Sequence, residues 1–147
     1  MNKRECVDVL KKHLQDVRCL KSLPNNLLCS GSWDNTIKIW NFYSRECIQT
    51  LKNHSGWISH LELTPNNQLI SCSSDETIRV WELRSEKGFE CVRVLNGHKK
   101  YVNYVIRIDN GEILSVSRDG TLKTWNMNTG ECLQTIETEF SMCMIGL

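Results

Sequence analysis

The sequence predicts an all-β fold in which a four-stranded unit is repeated along the chain. A histidine, an aspartate and a tryptophan return three times at fixed spacing, as His13, Asp34 and Trp40, as His54, Asp75 and Trp81, and as His98, Asp119 and Trp125. All three residues move by 41 positions from the first set to the second and by 44 from the second to the third. Side chains of different chemistry that shift together mark a copied unit, and periods of about 40–45 residues are typical of four-stranded propeller blades.

Each unit divides into four segments that have the alternation and the turn residues of short strands. An outer strand follows each Glu-Cys pair, at Glu5-Cys6, Glu46-Cys47, Glu90-Cys91 and Glu131-Cys132. The other three strands of each unit are predicted over 17–23, 27–32 and 36–40, over 58–63, 69–73 and 77–81, and over 102–108, 113–117 and 121–125. The turns at 24–26, 65–67 and 109–111 carry proline, asparagine or glycine, which favour tight turn geometry. No helix longer than one turn is predicted.

The segment from Ser30 to Trp40 resembles the signature of the WD-repeat β-propeller family, and so do its copies at 71–81 and 115–125. The resemblance covers residues 6 to about 136. Two departures occur: Asn41, Glu82 and Asn126 stand where the family has an aspartate, and the Gly-His pair of the family is kept only at Gly97-His98. The family tolerates both departures, so the resemblance implies a WD-type propeller.

The resemblance also implies a hydrogen-bonded tetrad in each unit, formed by the recurring histidine, aspartate and tryptophan with one serine of the second strand. The expected serines are Ser32, Ser73 and Ser117, with Ser30, Ser71 and Ser115 as the less favoured choice. Buried polar groups are retained when they are paired, and each neutral hydrogen bond contributes about 0.5–1.5 kcal/mol net. The indole would fill the space between neighbouring blades and bury about 150–250 Å².

Serine, histidine and aspartate also form the catalytic triad of many hydrolases, which raises an enzymatic interpretation. A nucleophile is needed once and lies in a pocket beside an oxyanion hole, whereas this set occurs three times in the same register. We therefore interpret the set as structural and predict no catalytic residue.

With a period of 41 to 44 residues, the chain of 147 residues contains about three and a half units. We expect one domain over 1–147, with blade units over about 14–51, 55–95 and 99–136, an outer strand over 6–10 and an inner strand over 140–147. The predicted fold class is an all-β WD-repeat β-propeller that forms an open arc or part of a larger ring of about seven blades. Unpaired strand edges and open blade faces favour association. Three interpretations stay open: a fragment of a longer propeller, a short chain that completes a ring by self-association, and a stable open monomer.

The charge balance is near neutral, with 18 basic and 17 acidic residues, which implies no general attraction to nucleic acid or to a membrane. The basic pairs Lys11-Lys12 and Lys99-Lys100 fall in predicted loops and are interpreted as solvated residues. No apolar stretch has the length of a membrane span, and residues 1–5 are too polar for a signal peptide. We expect a cytoplasmic protein, with the nucleus as the other intracellular location.

Eight cysteines raise the question of disulfides or zinc. Four of them recur at one strand position, namely Cys6, Cys47, Cys91 and Cys132, and no Cys-x-x-Cys pair occurs. The others fall within predicted strands, where a cysteine acts as a small apolar residue: Cys19, Cys29, Cys72 and Cys143. We predict neither a metal site nor a cofactor.

Function is expected at the positions that the repeat leaves variable. By resemblance to the family, partners dock on the narrow face of the propeller, where the connections into the innermost strands and the turns between second and third strands emerge. The variable positions there are Asp16, Arg18 and Trp33, then Trp57, Ser59 and Ser74, then Tyr101, Asn103 and Arg118. Trp, Tyr and Arg supply most of the binding energy of many interfaces. These positions predict a surface that docks protein or peptide partners, with Arg18 and Arg118 favouring acidic or phosphorylated segments, although Asp16 beside Arg18 disfavours phosphate. The alternative interpretation is that some of the rings cover the rim of the channel or contact further blades.

The predicted function is that of a non-catalytic protein-interaction scaffold. A second hypothesis is that the chain resembles the substrate-receptor propeller of a ubiquitin-ligase complex, which would need an adaptor-binding helical segment from a longer parent chain. A third is an enzyme or enzyme-regulatory domain that uses the mouth of the channel. His60 is interpreted as an ordinary strand residue rather than a base, and Glu139 replaces the recurring histidine after the third unit.

Overall fold

The computed structural model describes residues 9–84, 88–108 and 111–138. These residues form twelve β-strands in three four-stranded sheets, which we call blades 1, 2 and 3. Blade 1 contains β1 (Val17–Leu23), β2 (Leu27–Ser32), β3 (Ile37–Asn41) and β4 (Cys47–Leu51). Blade 2 contains β5 (Ile58–Leu63), β6 (Leu69–Ser73), β7 (Ile78–Arg84) and β8 (Gly88–Leu95). Blade 3 contains β9 (Val102–Arg107), β10 (Glu112–Ser117), β11 (Thr121–Asn126) and β12 (Cys132–Glu137).

In every blade the strands lie in chain order and each pair of neighbours is antiparallel. This arrangement confirms the predicted all-β blade architecture. Of the outer strand predicted over 6–10, only Val9 and Leu10 are described, and neither lies in a strand. The inner strand predicted over 140–147 lies outside the described residues.

The turns between the second and third strands share one left-handed position. Asn35, Glu76 and Gly120 hold it in the three blades, with φ angles of 66°, 71° and 81°. Glycine adopts this conformation freely and asparagine tolerates it, whereas it costs other residues about 1–2 kcal/mol. The repeated turn geometry is therefore kept in blade 2 at some expense in backbone strain.

Two apolar clusters hold the blades together, one at each junction. The cluster between blades 1 and 2 consists of Leu23, Cys29, Ile37, Ile39, Leu51, Ile58, Leu61, Leu69, Trp81 and Phe89. The cluster between blades 2 and 3 consists of Ile70, Cys72, Ile78, Val80, Leu95, Val102, Val105, Ile113, Trp125 and Met127. Trp81 and Trp125 are each 1% exposed, so each of these indoles fills the space toward the preceding blade.

A polar side chain of an outer strand reaches across each junction to the main chain of the next blade. Gln49 in β4 donates through Nε2 to the carbonyl of Phe89 at 2.8 Å and accepts from the N–H of Phe89 at 2.8 Å. Arg93 in β8 stands, like Gln49, two residues after a recurring cysteine, and it donates to the carbonyl of Met127 at 2.6 Å. The two junctions thus combine an apolar core with a polar bridge at the outer edge.

The three blades form an open arc. Leu20 in blade 1 is 60% exposed, whereas Leu61, its counterpart in blade 2, is 1% exposed. At the other end Ile136 in β12 is 43% exposed, whereas its counterpart Leu95 is 1% exposed. The end blades therefore expose apolar side chains that are covered inside the arc. None of the described residues forms a helix with the length and apolarity of a membrane span.

Candidate interaction surface

Each blade contains a hydrogen-bonded tetrad that ties its loop, its turn and its two middle strands together. In blade 2 the indole Nε1 of Trp81 donates to Ser71 Oγ at 2.9 Å, and Ser71 Oγ lies 2.8 Å from His54 Nε2. His54 Nδ1 lies 2.7 Å from Asp75 Oδ2. Because an indole N–H only donates, the serine hydroxyl donates to Nε2 and the Nδ1–H donates to the carboxylate. The same contacts, at 2.7–2.9 Å, join Trp40, Ser30, His13 and Asp34, and Trp125, Ser115, His98 and Asp119.

The tetrad serines are Ser30, Ser71 and Ser115, so the expectation of Ser32, Ser73 and Ser117 is wrong. Strand register gives the reason. Leu28 lies opposite Trp40 in the ladder between β2 and β3. Ser30 is the next residue on that face of β2, about 7 Å along the strand, and Ser32 is a further step away at about 14 Å, beyond the reach of the indole.

The serines that were expected in the tetrads form hydrogen bonds to the turn between the second and third strands instead. Ser32, Ser73 and Ser117 each accept from the N–H of the turn aspartate at 3.1 Å. Ser32 and Ser117 also donate to loop carbonyls, those of Gln15 at 3.2 Å and Lys100 at 3.0 Å. In blades 1 and 3 these serines therefore fasten the turn to the loop that precedes the innermost strand.

The tetrads of blades 2 and 3 hold a charged aspartate against a neutral histidine, and the aspartate of blade 1 is charged as well. Burial raises the pKa of Asp34, but hydrogen bonds from Thr36, a backbone N–H and His13 outweigh burial and hold the pKa well below its usual value of 3.8. Burial lowers the pKa of His54 and of His98 below 6.5. A charged acceptor, a neutral imidazole and an indole donor satisfy one another, which is the condition for keeping polar groups buried.

The tetrad contains the side chains of a hydrolase triad, but its serine is a structural group. Ser71 and Ser115 are 0% exposed, and Ser30 is 3% exposed. Each hydroxyl accepts from an indole and donates to the histidine, and the same arrangement returns in every blade. A nucleophile must instead reach a substrate at the mouth of a pocket. The tetrads support the frame on which the variable residues stand.

Three exposed aromatic rings from three blades lie in a row at one end of the blades, where the turns between second and third strands meet the loops into the innermost strands. Trp33 follows β2, Trp57 precedes β5 and Tyr101 precedes β9. The ring centroids of Trp33 and Trp57 are 5.6 Å apart, and those of Trp57 and Tyr101 are 5.4 Å apart. The first two rings are inclined by 32° and the second two by 74°. The three residues, which we call the aromatic cluster, are 40%, 39% and 39% exposed.

Backbone hydrogen bonds fix the position of the aromatic cluster. The N–H of Trp33 donates to Asp16 O at 3.0 Å, that of Ser74 to Trp57 O at 3.0 Å and that of Arg118 to Tyr101 O at 2.9 Å. In every blade the same turn is thus bound to the same loop by main-chain atoms. The side chains at these positions are free to differ between blades, because the repeated bonds do not involve them.

An arginine covers each end of the aromatic cluster. Arg18 Cζ lies 5.6 Å from the centroid of the Trp33 ring, and Arg118 Cζ lies 5.8 Å from the centroid of the Tyr101 ring. Both distances are within the range of cation–π attraction. The surface is therefore a continuous row of two guanidinium groups and three rings.

Three segments of the chain, residues 4–41, 45–82 and 89–126, match the sequence profile of the WD domain, G-beta repeat. The chain belongs to the WD-repeat family. Among solved structures it is similar to the crystal structure of the WD40 β-propeller domain of Doa1, with a TM-score of 0.77 and 28% sequence identity. The match covers 88% of this chain and 43% of that one, so the chain spans less than half of that solved structure. A comparison with curated protein sequences finds no match.

The predicted WD-repeat family and propeller fold are thereby confirmed, and WD-repeat domains are in general non-catalytic platforms for protein–protein contacts. The remaining predicted positions lie around the aromatic cluster. Asp16 is exposed, while Ser59, Ser74 and Asn103 are half-buried. Arg18 stands where the ladder between β1 and β2 shifts register, between Val17 and Cys19, a local irregularity of the kind that re-aims side chains. A binding role for each of these residues stays a prediction.

Sequence reasoning did not predict the contacts of His60. Its ring centroid lies 3.9 Å from that of Tyr104 across the junction of blades 2 and 3. Nδ1 is buried without a hydrogen-bond partner among the described residues, and burial lowers the pKa of His60. Beside it Lys21 Nζ lies 2.8 Å from Glu62 Oε1 and joins blades 1 and 2. The only sequence signal for these contacts is that His60 and Tyr104 occupy equivalent positions of neighbouring repeats.

The cysteines in the described part of the chain are free thiols. Cys29 and Cys72 are 0% exposed and belong to the junction clusters, where they act as small apolar residues. Burial raises the pKa of Cys29 to about 12. Within the described ranges no three His, Cys, Asp or Glu side chains are grouped to hold a metal ion. Cys6 and Cys143 lie outside those ranges.

Proposed function

We propose that the chain is a non-catalytic protein-interaction platform that docks a segment of a partner protein on the aromatic cluster. The observation that carries the proposal is the contact of three exposed rings from three successive blades, at 5.6 and 5.4 Å. Large aromatic side chains in contact at a surface are the residues that contribute most to protein interfaces. The proposal places the interaction on the variable residues of the repeat rather than on its tetrads.

The repeat itself indicates that the rings are not required for folding. The position of Trp33 holds serine in blade 2, at Ser74, and the position of Trp57 holds aspartate in blade 1, at Asp16. The main-chain bonds at these positions are the same in all three blades. A role outside the blade frame therefore accounts best for the indoles.

The spacing of the rings suits an extended peptide. Alternate side chains of an extended segment lie about 6.5–7 Å apart on one side. The ring separations of 5.6 and 5.4 Å are close to that step. A segment that crosses the cluster could place alternate apolar side chains on successive rings, and burying one such side chain contributes about 1.5–3 kcal/mol.

Selection of phage-displayed peptides on the purified chain, followed by affinity measurement in solution, tests this proposal. Trp33→Ser gives blade 1 the serine that blade 2 has at this position, and it should weaken binding of the selected peptides at least tenfold while leaving the melting temperature nearly unchanged. Tyr43→Ser is the matched control, because Tyr43 is 75% exposed in the turn between β3 and β4, at the opposite end of the strands. Equal binding by the wild type and Trp33→Ser, or an equal loss in Tyr43→Ser, would contradict the proposal.

A further inference from the structure

The chemistry of the two ends of the aromatic cluster narrows the kind of segment that it accepts. Arg18 stacks on the ring of Trp33 and Arg118 on the ring of Tyr101, at 5.6 and 5.8 Å. An aromatic face attracts a cation through its quadrupole, and here the chain supplies that cation itself. A basic segment would meet occupied ring faces and two like charges, whereas an anionic segment would meet two guanidinium groups whose orientation is already set.

Three positive charges lie together at the end formed by blade 3. The loop before Tyr101 carries Lys99 and Lys100, which sequence reasoning set aside as solvated residues. Ser117 Oγ donates to Lys100 O at 3.0 Å, and the N–H of Arg118 donates to Tyr101 O at 2.9 Å. These bonds hold the two lysines and Arg118 beside one another, and all three residues are exposed.

The positions of these three residues carry no charge in the other two blades: they hold Leu14, Gln15 and Trp33 in blade 1, and Ser55, Gly56 and Ser74 in blade 2. Blade 1 has other charged residues in this region, namely Arg18 with Asp16 and the exposed Lys11 and Lys12, and blade 2 has an exposed Lys52 and an exposed Glu76. The tetrad aspartates occur once in each blade, so they cannot distinguish one end of the surface from the other. The charge that distinguishes blade 3 at these three positions therefore comes from the variable residues alone.

We infer that the partner segment is acidic, with glutamate or aspartate side chains seated at Arg118 and apolar side chains on Trp33 and Trp57. This inference rests on the proposed function and specifies its ligand. A guanidinium group binds a carboxylate through two parallel hydrogen bonds, and stacking on Tyr101 holds the group in place before the ligand arrives. We choose carboxylate because a single guanidinium stands at this end, and its two parallel N–H donors match the two oxygens of one singly charged carboxylate.

Three pools of fluorescein-labelled nine-residue peptides test the inference. One pool draws its residues from Asp, Glu, Leu, Phe, Gly and Ser, the second replaces Asp and Glu with Lys and Arg, and the third replaces them with phosphoserine. We expect the acidic pool to bind at least tenfold more tightly than the basic pool at low salt, with an advantage that falls as salt is added. Equal binding of these two pools, tighter binding of the basic pool, or a tenfold preference for phosphoserine over carboxylate would overturn the inference.

Two charge reversals in blade 3 test whether Arg118 is the residue that binds the acidic side chains. Arg118→Glu should weaken binding of the acidic pool at least tenfold. Arg107→Glu is the matched control, because this substitution makes the same change in net charge. Arg107 is exposed at the end of β9 that lies away from Tyr101. An equal loss in both variants would overturn the assignment to Arg118.

A further variant separates this inference from the proposed function. Trp57→Ala should weaken all binding if the cluster is the docking surface. Binding that depends on Trp57 but shows no preference among the pools would overturn the acidic ligand and keep the docking surface. Binding that does not depend on Trp57 would overturn both.

Discussion

Replacing Ser71 with alanine removes one oxygen that serves two buried partners. Ser71 Oγ accepts from Trp81 Nε1 at 2.9 Å and lies 2.8 Å from His54 Nε2. The indole is 1% exposed and the histidine 6% exposed, so water cannot replace the lost hydroxyl. Each unpaired buried group costs about 1–3 kcal/mol. With two such groups, we expect Ser71→Ala to lower the free energy of unfolding by about 2–6 kcal/mol.

The neighbouring serine gives a matched comparison. Ser73 is also 0% exposed, but its hydroxyl accepts one hydrogen bond, from the N–H of Asp75 at 3.1 Å. Its loss should cost about 0.5–1.5 kcal/mol, the value of one neutral hydrogen bond. The two substitutions remove the same atom from the same strand, so the difference between them isolates the tetrad.

Urea unfolding followed by tryptophan fluorescence measures both losses, with the linear dependence on urea giving the free energy in water. Ser44→Ala, in an exposed turn, serves as the control for the loss of a serine hydroxyl. A larger destabilisation by Ser73→Ala than by Ser71→Ala would refute the reasoning, because the tetrad would then run through the other serine.

Four more outcomes are expected. Trp81→Ala truncates a large core side chain and should lower the free energy of unfolding by about 3–5 kcal/mol. Trp57→Ala should leave that free energy nearly unchanged. Urea unfolding measures both variants, and a Trp57→Ala protein that fails to fold would place the Trp57 ring in the core. Stability should fall as the pH drops below about 6.5 and again below 3.8. Burial lowers the pKa of His54. Burial raises the pKa of Asp75, but hydrogen bonds from His54 and other groups outweigh it and hold this pKa well below its usual value. The unfolded chain therefore binds more protons than the folded chain in both pH ranges. Urea titrations at pH 7.5, 5.5 and 3.5 check this, and a stability that rises on acidification would contradict it. Glu76→Gly should raise the midpoint of unfolding by relieving a φ of 71°, a gain of about 1 kcal/mol; a lower midpoint would show that the turn is not strained. The exposed apolar faces at both ends of the arc should make the purified chain associate as its concentration rises, which light scattering measures, and a constant monomer mass would contradict it.

The sequence predicts the members of the aromatic cluster but not the contacts between their rings. The repeat places Trp33, Trp57 and Tyr101 at variable positions of successive units, which is enough to predict that they share a face. Their contact at 5.6 and 5.4 Å depends on the distance between blade ends. That distance is set by the clusters at the blade junctions, in which side chains far apart in the sequence pack together.

The sequence by itself determined the strands, their order in each blade and the family. The reason is that the fold is local: each blade is built from consecutive segments, so a period of 41 to 44 residues reports its structure directly. Only the tertiary structure decided which serine completes each tetrad, because Ser30 and Ser32 lie on the same face of β2 and differ only in their distance from Trp40. It also decided that arginines cover both ends of the aromatic cluster and that Ile136 is exposed where Leu95 is buried. These features depend on whether a blade has a neighbour on each side. The repeated sequence pattern is the same in an inner blade and in an end blade, so it does not report them.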